Sequence, residues 1–435
     1  MLRSKYVFLF FLFALILAST SCQSEHKNSV LVLAFDHLPT ESVTCSDEKA
    51  TETSGFAILC KESVRFTHAY TTSLQPAAAM ASLLTGSYPF ENGLHRSFDR
   101  LNEKTELVTQ LAFENNLRTS FFSGGPSLLK KTGLSNYFDN FDDSSILTQK
   151  NYFKNLKLQI EDFFEWYDED TKPFFSVIYN SDLELAKNDD TSAFEKTDES
   201  LAVLFQQLKN RKMWESTTIL LVGLNGVNKY QRFNETSFHN LHSENTRVVS
   251  LIKKARAKGD EGVYWKNDTL IQLADLGIYL KKVVSKKNSA FDTKNLFFKH
   301  LDLTPYLYEK TAGLVNSDTD KNLNSRPILI EAPNTWTKKL SAVLFAVVQN
   351  HELFIDTKKP MQYNTLVDLL ETTNIFDKKN NNLKKINTEL NIIKNQLLLI
   401  HSYEYKPLQI ASNDKIISLN LQLENMWGLF FMKNL

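Results

Sequence analysis

The run Val30-Leu31-Val32-Leu33-Ala34-Phe35 is apolar at every position and stops at Asp36-His37. A half-exposed strand alternates polar and apolar residues. A run apolar on both faces belongs to a strand covered on both sides. This segment therefore reads as the centre of a parallel sheet. Its terminal Asp36 and His37 fall at the carboxyl edge, where open α/β sheets place their sites. Val64–Tyr70, Arg118–Ser123, Pro173–Tyr179, Thr217–Leu224 and Val248–Ile252 also read as strands. Between and after them, Thr53–Glu62, Ala77–Leu84 (opened by Pro76), Glu106–Asn115, Tyr152–Asp168, Phe194–Leu208, 269–282 and 303–311 have helical spacing. Such alternation predicts an α/β fold, a mostly parallel central sheet sandwiched by helices.

After about residue 335 the texture changes. Leu340–Val348 and Glu352–Asp356 read as a hairpin around Gln349-Asn350, Tyr363–Leu370 as turn or short helix, and Asn380–Asn395 as helix. The expected organisation is a large α/β domain over 30–335 and a smaller C-terminal α+β domain over 336–435.

The opposite end is an export signal. Arg3 and Lys5 precede an apolar run from Tyr6 to Ala18, then Ser19-Thr20-Ser21 and Cys22. Basic, apolar and small regions in that order make residues 1–21 a secretory signal. The run is short for a spanning helix, which needs about 20 residues. A Cys directly after small residues resembles a bacterial lipobox, although Ser19 stands where such boxes carry Leu. The resemblance implies lipidation of Cys22, a tether over 22–29, and a membrane anchor in the periplasm or outer membrane. Plain secretion with an incidental Cys22 is the other reading. In an oxidising compartment Cys45 and Cys60 could pair. The helical reading of 54–63, with Cys60 on its apolar face, favours leaving them unpaired. Fifty basic and fifty acidic residues are interspersed, which leaves no nucleic-acid footprint.

Several segments, in order, resemble the sulfatases, a branch of the alkaline phosphatase superfamily. TSGFAILCKESVRFTHAYTT (Thr53 to Thr72) is similar to that family's TPNLDRLAxEGVRFTNAYTT, and LLTGSYPFENG (Leu83 to Gly93) to its LLTGxYPxxxG. NLRTSFFSG (Asn116 to Gly124) resembles GYRTAxFxG, and GLSNYFDNFDD (Gly133 to Asp143) resembles GLxxGFDxFDD. Lys172 to Glu184 resembles KPFFLxxxxxxPH with Leu183-Glu184 in place of the final Pro-His. Glu244 to Ile252, Asp302 to Gly313 and, faintly, Tyr363 to Asn374 continue the series.

The resemblance implies a nucleophile within C/S-x-P-S-R, or Thr in phosphonate- and phosphodiester-cleaving relatives. It also implies a calcium-type ion held by adjacent carboxylates after the first strand and an Asp-His or Asp-Asn pair after a later one. Neither set is intact. AYTTSLQPAAAMASLLTG aligns with AYTTxxxCxPSRxxLLTG without a gap, which puts the nucleophile on Pro76, the motif's Pro on Ala78, its Ser on Ala79 and its Arg on Met80. Proline has no nucleophile, alanine no hydrogen-bonding side chain and methionine no charge to meet an anion. On the metal side Asp36 is kept, His37 follows it, and Gly223-Leu224-Asn225-Gly226 stands where Ser-Asp-His-Gly is usual. Leu224 thus replaces a ligand, and Asp36, His37 and Asn225 are a vestige for which no tightly bound calcium is expected.

Three readings follow. The first is a catalytically inactive sulfatase-like envelope protein that binds an envelope protein or a glycan. The second is a divergent sulfuric or phosphoric ester hydrolase with a rebuilt centre around Asp36, His37 and Ser73, which would keep calcium. The third is a structural envelope protein with no ligand. His37, His68, His239 and His242 are dispersed, and read as ordinary surface or core histidines, or with Asp36 as a polar cleft or a softer metal site. Thr72 sits beside Ser73 without a visible base. Thr197-Asp198 and Arg247 read as structural, and Phe163-Phe164 and Phe174-Phe175 as core. Asn234 and Asn267 are sequons without meaning in a bacterial host.

Overall fold

The structure is a computed structural model that describes residues 28–45, 54–96, 99–125, 127–143, 154–185, 191–227, 240–257, 260, 262, 264–285, 299–307, 325–333 and 343–404. Cys22, Asn234 and His239 lie outside the described residues.

Eight strands build the main sheet: β1 (Ser29–Phe35), β2 (Val64–Tyr70), β3 (Arg118–Ser123), β4 (Asn140–Asp142), β5 (Phe174–Asn180), β6 (Thr217–Gly223), β7 (Ser250–Lys253) and β8 (Trp265–Gln272). Their order is β4-β3-β5-β1-β6-β7-β2-β8. All neighbours are parallel except β7, which is antiparallel to both β6 and β2. The expected α/β architecture is therefore present, with β1 at its centre.

β1 shows why the run had to be apolar throughout. Val30, Val32 and Ala34 enter one core, with helices α2 (Pro76–Thr85), α4 (Val108–Glu114) and α9 (Leu273–Ser285). Leu31, Leu33 and Phe35 enter a second core on the opposite face, with α1 (Gly55–Cys60), α5 (Leu156–Glu169) and α7 (Thr191–Asn210). Every β1 residue from Val30 to Phe35 has 0% exposure, so each alternate side chain is covered by helices.

Short helices α3 (Pro89–Asn92), α6 (Asp182–Leu185) and α8 (Ser243–Thr246) punctuate the loops. Helix α2 begins at Pro76 as its first residue and ends at Gly86, whose φ of 65° is the left-handed cap that glycine supplies without strain. Asp198 of α7 accepts from Ser54 Oγ at 3.1 Å and Phe56 N at 2.7 Å, capping α1. Its role is structural, as read from sequence. The Phe163, Phe164, Phe174 and Phe175 side chains are core.

Three readings of the chain change. Cys45 and Cys60 are disulfide-bonded, with Cα atoms 5.6 Å apart, because the segment after β1 returns to α1. Cys60 is on the apolar face of its helix as expected, and that face is where Cys45 arrives. Closing a loop of fifteen residues contributes about 3 kcal/mol in the chain-entropy account. Residues 265–272 are strand β8 and only then does helix α9 start. The segment pairs with β2 from Val64↔Trp265 to Tyr70↔Gln272, and this ladder overrides its weak helical spacing. Finally, a four-stranded antiparallel sheet runs β12-β11-β10-β9, through β9 (Ile328–Ala332), β10 (Leu344–Gln349), β11 (Glu352–Asp356) and β12 (Met361–Asn364). The expected hairpin is β10–β11, but the sheet starts at Ile328, before the boundary at 335/336, and part of the expected turn is strand β12.

The chain forms two compact units, one of 1–335 with 343–378 and one of 336–342 with 379–435. The small sheet belongs to the first, where Ile328, Ile330, Val348 and Leu353 pack with Tyr70 and Leu270. The second holds helix α10 (Asn381–Glu404), with a buried stripe of Leu383, Ile386, Leu390, Ile393 and Leu397. Among the described residues, no helix is long and apolar enough to cross a membrane.

Candidate functional site

Asp36 lies where strand β1 ends, fully buried. Strand β5 runs beside β1 in register Phe35↔Asn180, so the residues that follow Asn180 come level with Asp36. Tyr179 OH donates to Asp36 Oδ2 at 2.6 Å, and Ser181 Oγ donates to the same oxygen at 2.7 Å. The Glu184 carboxyl on α6 is its acidic neighbour. Asp36 Oδ1 is buried with no hydrogen bond of normal geometry. Gly125, after β3, packs directly on the two donors: a Cβ there would lie 2.9 Å from Ser181 Oγ and 3.1 Å from Tyr179 Cε1. Internal side chains thus occupy the space around Asp36.

Burial pushes the Asp36 carboxyl up to about 6, opposed by the Tyr179 and Ser181 hydroxyl donors and then by the adjacent Glu184 carboxyl. Burial and then the Asp36 charge hold Glu184 well above the carboxylate range. One negative charge on Asp36 and one proton on Glu184 is the arrangement these two carboxyls favour near neutrality.

Most of the other positions are buried as well. His37 adopts φ 54° and its backbone N–H donates to Asn225 Oδ1 at 2.8 Å. That bond turns the Asn225 oxygen to the backbone. The His37 ring is partly exposed by area, yet enclosure by protein pushes it down to about 4. Leu224 has 0% exposure and lies in the same apolar core as Ala78, Ala79 and Met80, which are also at 0%. Pro76 begins α2 with no acidic or basic group in its first turn. Ser73 is buried: its Oγ accepts from Gln75 N at 3.2 Å, and its carbonyl accepts from Thr71 Oγ1 at 2.8 Å. Thr72 is buried as well, its carbonyl accepting from Glu331 N at 3.0 Å.

A calcium-type ion takes six to eight oxygen ligands. Here Asp36 offers one unshared oxygen, Leu224 none, and the Asn225 oxygen is already committed. These residues do not fit such an ion. Among the described residues, no group of three or more His, Cys, Asp or Glu side chains is placed to hold a metal.

The dispersed histidines do not join Asp36. His242 pairs with Glu371 at 2.5 Å, each side chain 1% exposed, and His95 pairs with Glu331 at 2.8 Å. His68 lies at the junction of β2 and β8, where Arg247 Nε and Nη2 donate to the Thr67 carbonyl at 2.9 and 2.7 Å. Arg247 thus supports the sheet edge, and Asn267 Nδ2 donates to the Tyr306 carbonyl at 3.2 Å. Sequence reasoning did not find Tyr179, Ser181 or Glu184 as partners of Asp36. The signal was the adjacency of two strands ending at the same level, which requires the strand order.

The raised Asp36 carboxyl has a measurable consequence. It ionises near 3.8 when unfolded and about 6 when folded, so folding takes up a proton between those values. Acid therefore favours the fold in that window, and above about pH 6 a buried carboxylate costs up to about 3 kcal/mol. Asp36→Asn keeps an oxygen for Tyr179 and Ser181 and removes the charge. Urea unfolding is expected to show this variant up to about 2 kcal/mol more stable than wild type at mildly alkaline pH. The gain should fade as pH falls through about 6 toward 4. A variant less stable than wild type in alkali would mean that the carboxylate is needed there.

No family model matches the chain, and no curated protein matches it. Solved structures do. Ps i-CgsB in complex with k-i-k-neocarrahexaose matches with a TM-score of 0.61 at 15% identity, over 92% of this chain and 98% of that one. The phosphonate monoester hydrolase of Agrobacterium radiobacter matches at 0.59 and 13%, over 85% and 96%. BT4656, in complex with its substrate D-glucosamine-2-N,6-O-disulfate, matches at 0.61 and 14%, over 89% and 100%. The chain has the sulfatase/alkaline phosphatase superfamily fold.

Proposed function

We propose that this chain is a non-hydrolytic, sulfatase-like envelope protein that holds a ligand without cleaving it. One observation carries the reading: the positions that would supply nucleophile, anion contacts and metal are Pro76, Ala78, Ala79, Met80 and Leu224, and the last four are fully buried in one apolar core. Ester hydrolysis needs a nucleophile and charge stabilisation aimed at the reacting group. Neither is supplied at these positions. A glycan is the favoured ligand class, because Ps i-CgsB and BT4656 were solved with saccharides bound. An envelope protein is the other candidate.

The disulfide Cys45–Cys60 supports an exported protein, since such bonds persist in oxidising compartments. Anchoring through lipidated Cys22 belongs to the same proposal. Expression in a bacterial host should give a membrane-associated, acylated product, and Cys22→Ser should release it to the soluble fraction. An unacylated wild-type product sinks the anchor.

A second reading is favoured by the Asp36–Glu184 pair. Two carboxyls sharing one proton are also an acid–base pair, and a divergent hydrolase could use them. One assay separates the two. Nitrophenyl sulfate, phosphate and phosphonate esters are offered with and without calcium, to wild type and to Asp36→Ala. No turnover above the variant, and no calcium-dependent rise in Tm, is expected. Turnover abolished by Asp36→Ala would establish the hydrolase instead.

A further inference from the structure

Five neighbouring strands of the main sheet, β4-β3-β5-β1-β6, are parallel. They enter the sheet at Asn140, Arg118, Phe174, Ser29 and Thr217. The segments just before these residues therefore share one edge, the amino edge, opposite to the one that carries Asp36.

Two aromatic side chains stand exposed on that edge. Helix α4 reaches it just before β3. Val108, Leu111 and Ala112 of this helix are buried, whereas Phe113 in its last turn is 52% exposed. Tyr137, three residues before β4, is 48% exposed, and the two ring centroids are 6.5 Å apart. Tyr137 is fixed in place. Its φ of 65° is unusual for a bulky residue, and such a conformation persists only where the surroundings impose it. Thr119 Oγ1 donates to the Tyr137 carbonyl at 2.8 Å, and Thr109 Oγ1 donates to the Asn136 carbonyl at 3.1 Å. Asp139 Oδ2 accepts from Thr119 N at 2.8 Å. These bonds tie the turn to β3 and α4 while its ring is left half in solvent.

The path of the chain says what lies against this edge. Strand β1 starts at Ser29, seven residues after Cys22. Seven residues span at most about 25 Å. With Cys22 acylated, the start of β1 is no farther than that from the bilayer. Strands β3 and β4 are two and three places from β1, which puts the aromatic pair roughly 15 Å to the side at the usual strand spacing. Cations on the same edge are already matched, Lys172 to Asp170 at 2.8 Å and Arg211 to Asp168 at 2.9 Å. Apolar insertion, not attraction to anionic lipid, is what this surface offers.

We infer that the amino edge rests on a phospholipid bilayer, with Phe113 and Tyr137 seated among the headgroups. An aromatic ring with a polar tip suits that boundary, and an apolar side chain enters it to a shallow depth. The carboxyl edge, with Asp36, then faces away from the lipid. The inference rests on the anchor proposed at Cys22.

The test uses the full, acylated chain on phosphatidylethanolamine–phosphatidylcholine vesicles. With Cys22 acylated and Cys45 bonded to Cys60, a cysteine placed at Phe113→Cys or Tyr137→Cys is the one free thiol for an environment-sensitive fluorophore. Val203→Cys on α7, 53% exposed, is the control. Flotation with the vesicles reads the anchor, and quenching by a nitroxide lipid reads the surface. Both aromatic positions should be quenched at least threefold more strongly than Val203→Cys, and high salt should not reverse this. Tyr137→Asp should return the Phe113→Cys label toward water without releasing the chain. Circular dichroism checks that each variant is folded. A chain that does not float overturns anchor and surface together. A chain that floats with both labels as exposed as the control overturns the surface alone. Labels equally shielded in a Cys22→Ser chain without vesicles, as self-association would make them, overturn it too.

Discussion

Leu224→Asp, which puts at this point the acidic residue that the sulfatase motif implies, is expected to come close to unfolding the protein. Leu224 follows β6, is fully buried, and packs in one core with Ala34, Met80, Val222 and Val248. The substitution removes about 2–5 kcal/mol of apolar packing. It also places a carboxylate in that core a short way from buried Asp36, with no cation to meet it. A loss of at least about 4 kcal/mol is a large part of an ordinary domain's stability. Thermal unfolding should move down by roughly 10 °C or more. Met80→Arg should behave the same way, because a guanidinium at Met80 would be buried in that apolar core. Millimolar calcium separates two accounts of the site. If the centre were merely dormant, Leu224→Asp would bind the ion and regain its Tm. If the apolar replacements are now part of the core, calcium leaves the Tm where the mutation put it, and this is the expected result. Rescue by calcium would overturn the proposal that the centre is closed.

The degree to which the chain could be read from its residues follows from which interactions are local. The apolar run Val30–Phe35 carries its own meaning: with no polar face it has to be central, and it is. Pro76 carries another, since a proline that opens a helix cannot also be a nucleophile. Leu224 carries a third, because its apolar side chain assigns it to the core, and it is fully buried there. The partners of Asp36 were not legible. Glu184 stood in view as one half of a replaced Pro-His, but its closeness to Asp36 depends on β5 lying next to β1. The same holds for β8, whose strand conformation comes from pairing with β2, and for Cys45–Cys60, where a turn of the chain joins residues that spacing alone left open.

The buried Asp36 carboxyl is surrounded by hydroxyl donors and a second carboxyl. A cation would neutralise Asp36 by charge. Here hydroxyl donors from Tyr179 and Ser181, and the protonated Glu184, supply the compensation.

The small sheet is joined to the main one by buried histidine–glutamate pairs, and cutting one should cost nearly as much as rebuilding Leu224. His242 Nδ1 lies 2.5 Å from Glu371 Oε2, and Ser243 N donates to the two carboxylate oxygens at 3.2 and 3.3 Å. Glu371 holds a φ of 53° at the loop after β12, so the tie fixes a backbone that would otherwise relax. His242→Phe fills the volume of the ring and stacks on Tyr363, whose centroid is 5.2 Å from that of His242. It leaves Glu371 buried with its imidazole partner gone, which is expected to cost about 3–5 kcal/mol. Glu371→Gln in the same chain removes the stranded charge and still accepts from Ser243 N. The double variant should therefore recover at least half of the loss in urea unfolding at neutral pH. Strictly additive effects, with a coupling below about 0.5 kcal/mol, would mean that the pair is not what holds this loop, and that the tie runs through the neighbouring backbone bonds.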